Sequence, residues 1–132
     1  MGRLLTSRGL VPGAIISSTA VRARTTAELA ASAGSWDTSI RLDRNLYELG
    51  PDGVIERLGQ APDVSRLMMV GHQPTWSILS ERLSGQAVEM KTATVAVVDF
   101  DVTDWSEAAP GHGELAEVLQ PRSYFGSEWD TG

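Results

Sequence analysis

The chain contains no cysteine. That excludes a disulfide framework, a cysteine-ligated zinc or iron–sulfur site and a cysteine nucleophile, and it suits a reducing compartment, so a cytoplasmic location is expected. Only two histidines, His72 and His112, occur in 132 residues. No stretch approaches the roughly 20 apolar residues of a membrane span. Arg8 and Pro12-Gly13 interrupt any apolar run after Arg3, which reads against an N-terminal export signal. Basic charge is scarce: 11 Lys and Arg against 17 Asp and Glu leave a net charge of −6. Such a chain has no general attraction to nucleic acid or to anionic lipid, although a few well-placed arginines still suffice for phosphate. There is no internal repeat, no low-complexity segment, no glycine-rich phosphate loop and no cluster with metal-ligand spacing, so neither cofactor nor metal is expected.

What is present is the alternation of an α/β fold. At 42% apolar content the length suits one domain with a core of its own. Residues 1–10 read as the end of a helix stopped near Gly9 and Pro12. Ala14-Ile15-Ile16-Ser17 reads as a short buried strand. An alanine-rich helix is predicted from Thr19 to Ala33, with Ser18 or Thr19 as its N-cap and Gly34 as its stop. Ser39–Leu42 is a strand candidate, Asn45–Gly50 a loop, and Pro51–Leu58 a helix opened by proline. Leu67–Val70 is a third strand, and the helix Pro74–Leu83 ends at Gly85. The β-branched run Thr92–Phe100 and the alternating Glu114–Leu119 read as late strands on either side of a loop from Trp105 to Gly113. Two strand–helix–strand units predict parallel pairing, and ligands in such sheets bind beyond the carboxyl ends of the strands.

Three segments fall at those ends: Ser17 to Arg22, Leu46 to Glu48, and Gly71-His72. His72 ends the run Leu67-Met68-Met69-Val70-Gly71 and precedes a helix start. Alone it is open to two readings, a hydrogen-bonded loop histidine or a group working as acid, base, nucleophile or electrostatic donor near neutral pH. Arg22, in the first turns of its helix, is either a solvated surface residue or a bidentate phosphate ligand beside the free N–H groups of a helix start. Glu48 is either a solvated loop carboxylate or a general acid. His112, between glycines, reads as exposed and without a role. Trp36, Trp76, Trp105 and Trp129 are too widely spaced for a stacking ladder and read as core or surface cover.

The ordered set, Ser18-x-x-x-Arg22-x-x-x-Thr26, then Leu46-Tyr47-Glu48, then Val70-Gly71-His72-x-Pro74, resembles the histidine phosphatase superfamily, most closely its SixA-like phosphohistidine phosphatases. The likeness spans residues 1–122, leaving a polar tail at 123–132. It implies a three-layer α/β/α domain with a mostly parallel sheet. The activity implied is hydrolysis of a phosphohistidine, on a phosphorylated protein, or of a small phosphoester, through a phosphohistidine intermediate, by a monomer that binds neither nucleic acid nor membrane. By the same resemblance Arg22 is a phosphate ligand, with Ser18 beside it. His72 is the second histidine, which contacts the phosphoryl group and stabilises charge, and Glu48 stands where the wider superfamily has its proton donor. The SixA-like branch often lacks that acid.

The family opens with a strand ending in Arg-His-Gly or Arg-His-Ala, whose histidine is the nucleophile, and no such motif occurs in this chain. Thr19 also stands where the family usually has proline. Met1 is therefore expected to fall inside the family's first helix, with the central first strand missing, as in an N-terminally truncated product with the motif encoded upstream. In that case the strands at 67–70 and 93–99 lose the strand between them, and either the order closes up or apolar edges are exposed. The alternative to a phosphatase is a non-catalytic phosphate-binding homologue or inactive fragment.

Overall fold

Ile15 and Ile16 are 0% and 5% exposed on opposite faces of the first strand, β1 (Ala14–Ser17), so helices must cover both. The computed structural model, which describes residues 1–90 and 94–120, shows that they do. α1 (Gly2–Ser7) and α2 (Val21–Gly34) lie on the Ile15 face, with Leu5, Ala23, Ala27, Ala30 and Val70 in one cluster. On the Ile16 face, α4 (Pro51–Leu58) and α5 (Thr75–Ser84) contribute Val54, Leu58, Trp76, Leu79 and Leu83. The result is a three-layer α/β domain around a parallel sheet of order β2-β1-β3, with β2 at Ile40–Leu42 and β3 at Leu67–Val70.

The buried face of α2 is a stripe of small residues at helical spacing, Ala23, Ala27, Ala30 and Gly34. It lets α1 approach so closely that a Cβ on Gly2 would sit 1.9 Å from the Ala30 carbonyl oxygen. α2 begins at Val21, with Ala20 at the N-cap position and no side chain capping it, two residues after the expected serine cap and one after the threonine. The reason is that the Ser18 hydroxyl accepts the Ala20 N–H at 3.2 Å, a turn that delays the helix. The expected loop at 45–50 contains a short helix, α3 (Asn45–Glu48). Asp43 starts it by accepting the Asn45 N–H at 3.0 Å, and Leu46, fully buried, pins it to the core.

The chain ends its described part with an antiparallel pair, β4 (Val95–Phe100) and β5 (Gly113–Leu119), interrupted by a bulge between Val97 and Val98. The expected loop between them carries a 3-10 turn, Trp105–Glu107, started by the Asp104 carboxylate accepting the Ser106 N–H at 2.8 Å. The predicted strand start at Thr92 and the tail at 123–132 lie outside the described residues. β4 and β5 form a sheet separate from β2-β1-β3. The order therefore does not close up, and β3 and β4 face each other across a cleft of about 1930 Å3.

Candidate functional site

The carboxyl ends of β1 and β3 are tied together where the site residues leave the sheet: the Ser18 N–H donates to the Val70 carbonyl at 2.9 Å. Ser18 itself is fully buried, its hydroxyl engaged on the Ala20 N–H, so it shapes the turn that delivers α2. Arg22 follows in the first turn of α2 with an exposed side chain that lines the cleft. His72, half-buried two residues beyond β3, lines the same cleft. Two separate strand–helix junctions thus bring a guanidinium and an imidazole to one opening. Glu48, the last residue of α3, is exposed and is not part of the cleft lining. Arg24 faces away and pairs with Glu28 at 3.5 Å on the helix surface.

The imidazole of His72 stands edge-on to the indole of Trp76, centroids 6.3 Å apart and planes at 86°. One turn of backbone links the two residues, the Trp76 N–H donating to the His72 carbonyl at 3.1 Å. A polar clamp holds the other side of this segment, and the sequence reading missed it. The Gln73 carboxamide accepts the Ser77 N–H at 2.9 Å and donates to the Ser77 hydroxyl at 2.6 Å and to the Met90 carbonyl. The Ser77 hydroxyl accepts the Met90 N–H at 3.0 Å. The signal was the four-residue spacing of Gln73 and Ser77 across a helix start; the link to Met90 is not visible in sequence.

Below this edge, Asp43 pairs with Arg57, tying the end of β2 to α4. Partial burial pushes the Asp43 carboxyl up. The Arg57 guanidinium, the Asn45 N–H and the charges of Arg57 and Arg41 more than reverse that, and hold it below the usual carboxylate range. His112 is exposed in the turn before β5, as expected, and Trp36 and Trp76 are buried in the core. Trp129 lies outside the described residues. Among the described residues there is no group of three or more His, Asp or Glu side chains placed to hold a metal ion, and no helix long and apolar enough to cross a membrane.

A cleft of this form, at the carboxyl edge of a parallel sheet, with arginine and histidine on adjacent βα junctions, can neutralise the oxygens of a phosphoryl group. No family model matches the chain. An uncharacterized chloroplastic protein of Arabidopsis thaliana is 28% identical over 93% of the chain, which spans 63% of that protein's length. Uncharacterized proteins from two strains of Mycobacterium tuberculosis are each 32% identical over 83% of the chain and 73% of their own length. Among solved structures, one assigned as the phosphohistidine phosphatase SixA of Agrobacterium tumefaciens superposes with a TM-score of 0.73 at 24% identity, covering 91% of this chain and 75% of that one. Another, assigned as SixA of Nakamurella multipartitia, gives 0.69 at 26% identity over 91% and 77%. The chain has the SixA-like histidine phosphatase fold.

Proposed function

We propose that Arg22 and His72 hold a phosphoryl group in the hydrolysis of a phosphohistidine or a small phosphoester. The observation that carries this reading is their presence in one cleft from two separate βα junctions. In the complete reaction an imidazole nitrogen attacks phosphorus in line and displaces the leaving group, and water then cleaves the P–N bond. Arg22 and His72 neutralise the equatorial oxygens in both steps. Ser18 sets the turn that aims Arg22. Glu48, exposed at the third junction and outside the cleft lining, is the proton-donor candidate by the resemblance alone. The attacking imidazole is neither His72, which has the charge-stabilising role, nor the exposed His112.

A specific observation favours a second reading. The 132 residues contain no Arg-His-Gly or Arg-His-Ala motif, which suits a homologue that binds phosphate without turning it over. Calorimetric titration of orthophosphate, run beside hydrolysis assays on phosphohistidine and p-nitrophenyl phosphate, separates the two. Binding that weakens in Arg22→Ala and His72→Ala is expected. Turnover alongside it supports the phosphatase; binding alone supports a non-catalytic role for this chain, whose two histidines do not include the attacking imidazole. Unchanged affinity in both variants would end either reading.

A further inference from the structure

Pro74 occupies the N-cap position of α5 and has no side-chain acceptor for the first N–H groups of the helix. Two groups just before it take them. The His72 carbonyl accepts the Trp76 N–H at 3.1 Å, and the Gln73 carboxamide oxygen accepts the Ser77 N–H at 2.9 Å. The second bond settles which end of the carboxamide is oxygen. Its NH2 group is thereby given to the Ser77 hydroxyl at 2.6 Å and to the Met90 carbonyl. The Met90 N–H in turn donates to the Ser77 hydroxyl at 3.0 Å. Both main-chain groups of Met90 are thus held at the start of α5, 17 residues from Gln73. Residues 86–90 have no helix or strand of their own, so two side chains do here what a ladder does elsewhere.

Met90 carries this tie back towards the histidine. Its side chain packs, partly buried, against the cluster that contains Trp76. The indole is also held by its own N–H, which donates to the Met69 carbonyl at 3.2 Å. Its ring then meets the His72 imidazole edge-on. Gln73 therefore acts on His72 by two routes, the adjoining backbone and the packing of Met90 with Trp76. We propose that Gln73 is a positioning residue for His72: its carboxamide locks Met90 to the start of α5 and so fixes the imidazole at the phosphate site. A directional donor stabilises an anion most when its orientation is set before the anion arrives. That purpose rests on the phosphate reading of His72; the clamp itself does not.

The test is made on the full chain at neutral pH, below the unfolding transition of every variant. Its two histidines give two sets of imidazole signals in NMR spectra. The His72 ring protons feel the ring current of Trp76, and the exposed His112 is the internal control. Gln73→Ala is expected to move the His72 signals most of the way to those of His112 and to leave His112 unchanged. Gln73→Glu keeps an acceptor for the Ser77 N–H and has no donor for the Met90 carbonyl, so it should move them likewise. Orthophosphate affinity, read by calorimetry, should fall about tenfold in Gln73→Ala, the scale of one hydrogen bond to a charged group. Made in His72→Ala, the same substitution should leave affinity unchanged, because the group it positions is gone. The proposal is overturned if the His72 signals of either Gln73 variant stay as in the parent, or if affinity falls equally with and without His72. Should the parent bind no orthophosphate, or His72→Ala bind it as tightly as the parent, the phosphate reading fails and the imidazole signals alone decide the positioning.

Discussion

Gly71 lies against the indole of Trp76 with no room for a side chain between them: a Cβ at residue 71 would sit 2.3 Å from Cη2 of the ring. The glycine lets the tryptophan fold back over the strand end, where its ring meets His72 edge-on. Gly71→Ala forces the indole outward and disturbs His72 with it. Overpacking of this kind costs about 1–3 kcal/mol, measurable by urea unfolding. A variant as stable as the parent would show that the ring moves freely, and that its packing does not hold the histidine.

Arg22 is expected to bind phosphate through the fork geometry that lysine lacks. Arg22→Lys keeps the charge and loses the paired donors. Orthophosphate affinity should fall about tenfold, as for one charge-assisted hydrogen bond of about 1.4 kcal/mol, and fall further in Arg22→Ala. Calorimetry decides between them, and equal affinity in the lysine variant and the parent would reduce Arg22 to a point charge.

Asp43 gives the fold an acid-sensitive tie. Its folded-state pKa is depressed below an unfolded value near 3.9. The stabilisation from Arg57 and the Asn45 N–H is therefore present above about pH 4 and is lost as the pH falls through the folded value. Asp43→Asn should lose about 1–2 kcal/mol at neutral pH. The gap to the parent should narrow below pH 4. Urea unfolding at pH 7, 4 and 3 checks this; a gap independent of pH would remove the ion pair from the explanation.

Leu46 is fully buried and holds α3, and through it Glu48, at the third junction. Leu46→Ala should destabilise the chain by about 2–5 kcal/mol through lost burial and the cavity left behind. If Glu48 acts as proton donor, Glu48→Gln slows turnover of a poor leaving group more than of p-nitrophenolate and leaves stability within about 0.5 kcal/mol. Equal effects on both substrates would take Glu48 out of the reaction.

The elements with continuous burial were the most legible. Ala14–Ser17 and Leu67–Val70 are strands over the predicted residues, because a short apolar run between turn signals has few other ways to bury both faces. Gly85 ends α5 in the left-handed conformation, as a glycine placed there suggests. The misplaced boundaries are those set by single side chains. Ser18 spends its hydroxyl on a turn instead of a helix cap, and Asp43 starts a helix where composition suggests a loop. Both are local hydrogen bonds chosen by tertiary context among near-equal alternatives. Of the candidate residues, Arg22 and His72 line one cleft, whereas Ser18 is buried in the turn and Glu48 stands outside the cleft lining.

By itself the sequence determined the fold class, the parallel pairing and the two residues worth testing for phosphate. Periodicity, glycine stops and strand–helix alternation are local signals and survive without coordinates. Tertiary structure alone decided that β3 and β4 stand apart, that Trp76 covers the Met69 carbonyl, and that Gln73 and Ser77 clamp Met90 beside His72. These relations join residues whose separation in the chain says nothing of their separation in space, and they depend on which backbone groups the rest of the fold leaves unmatched.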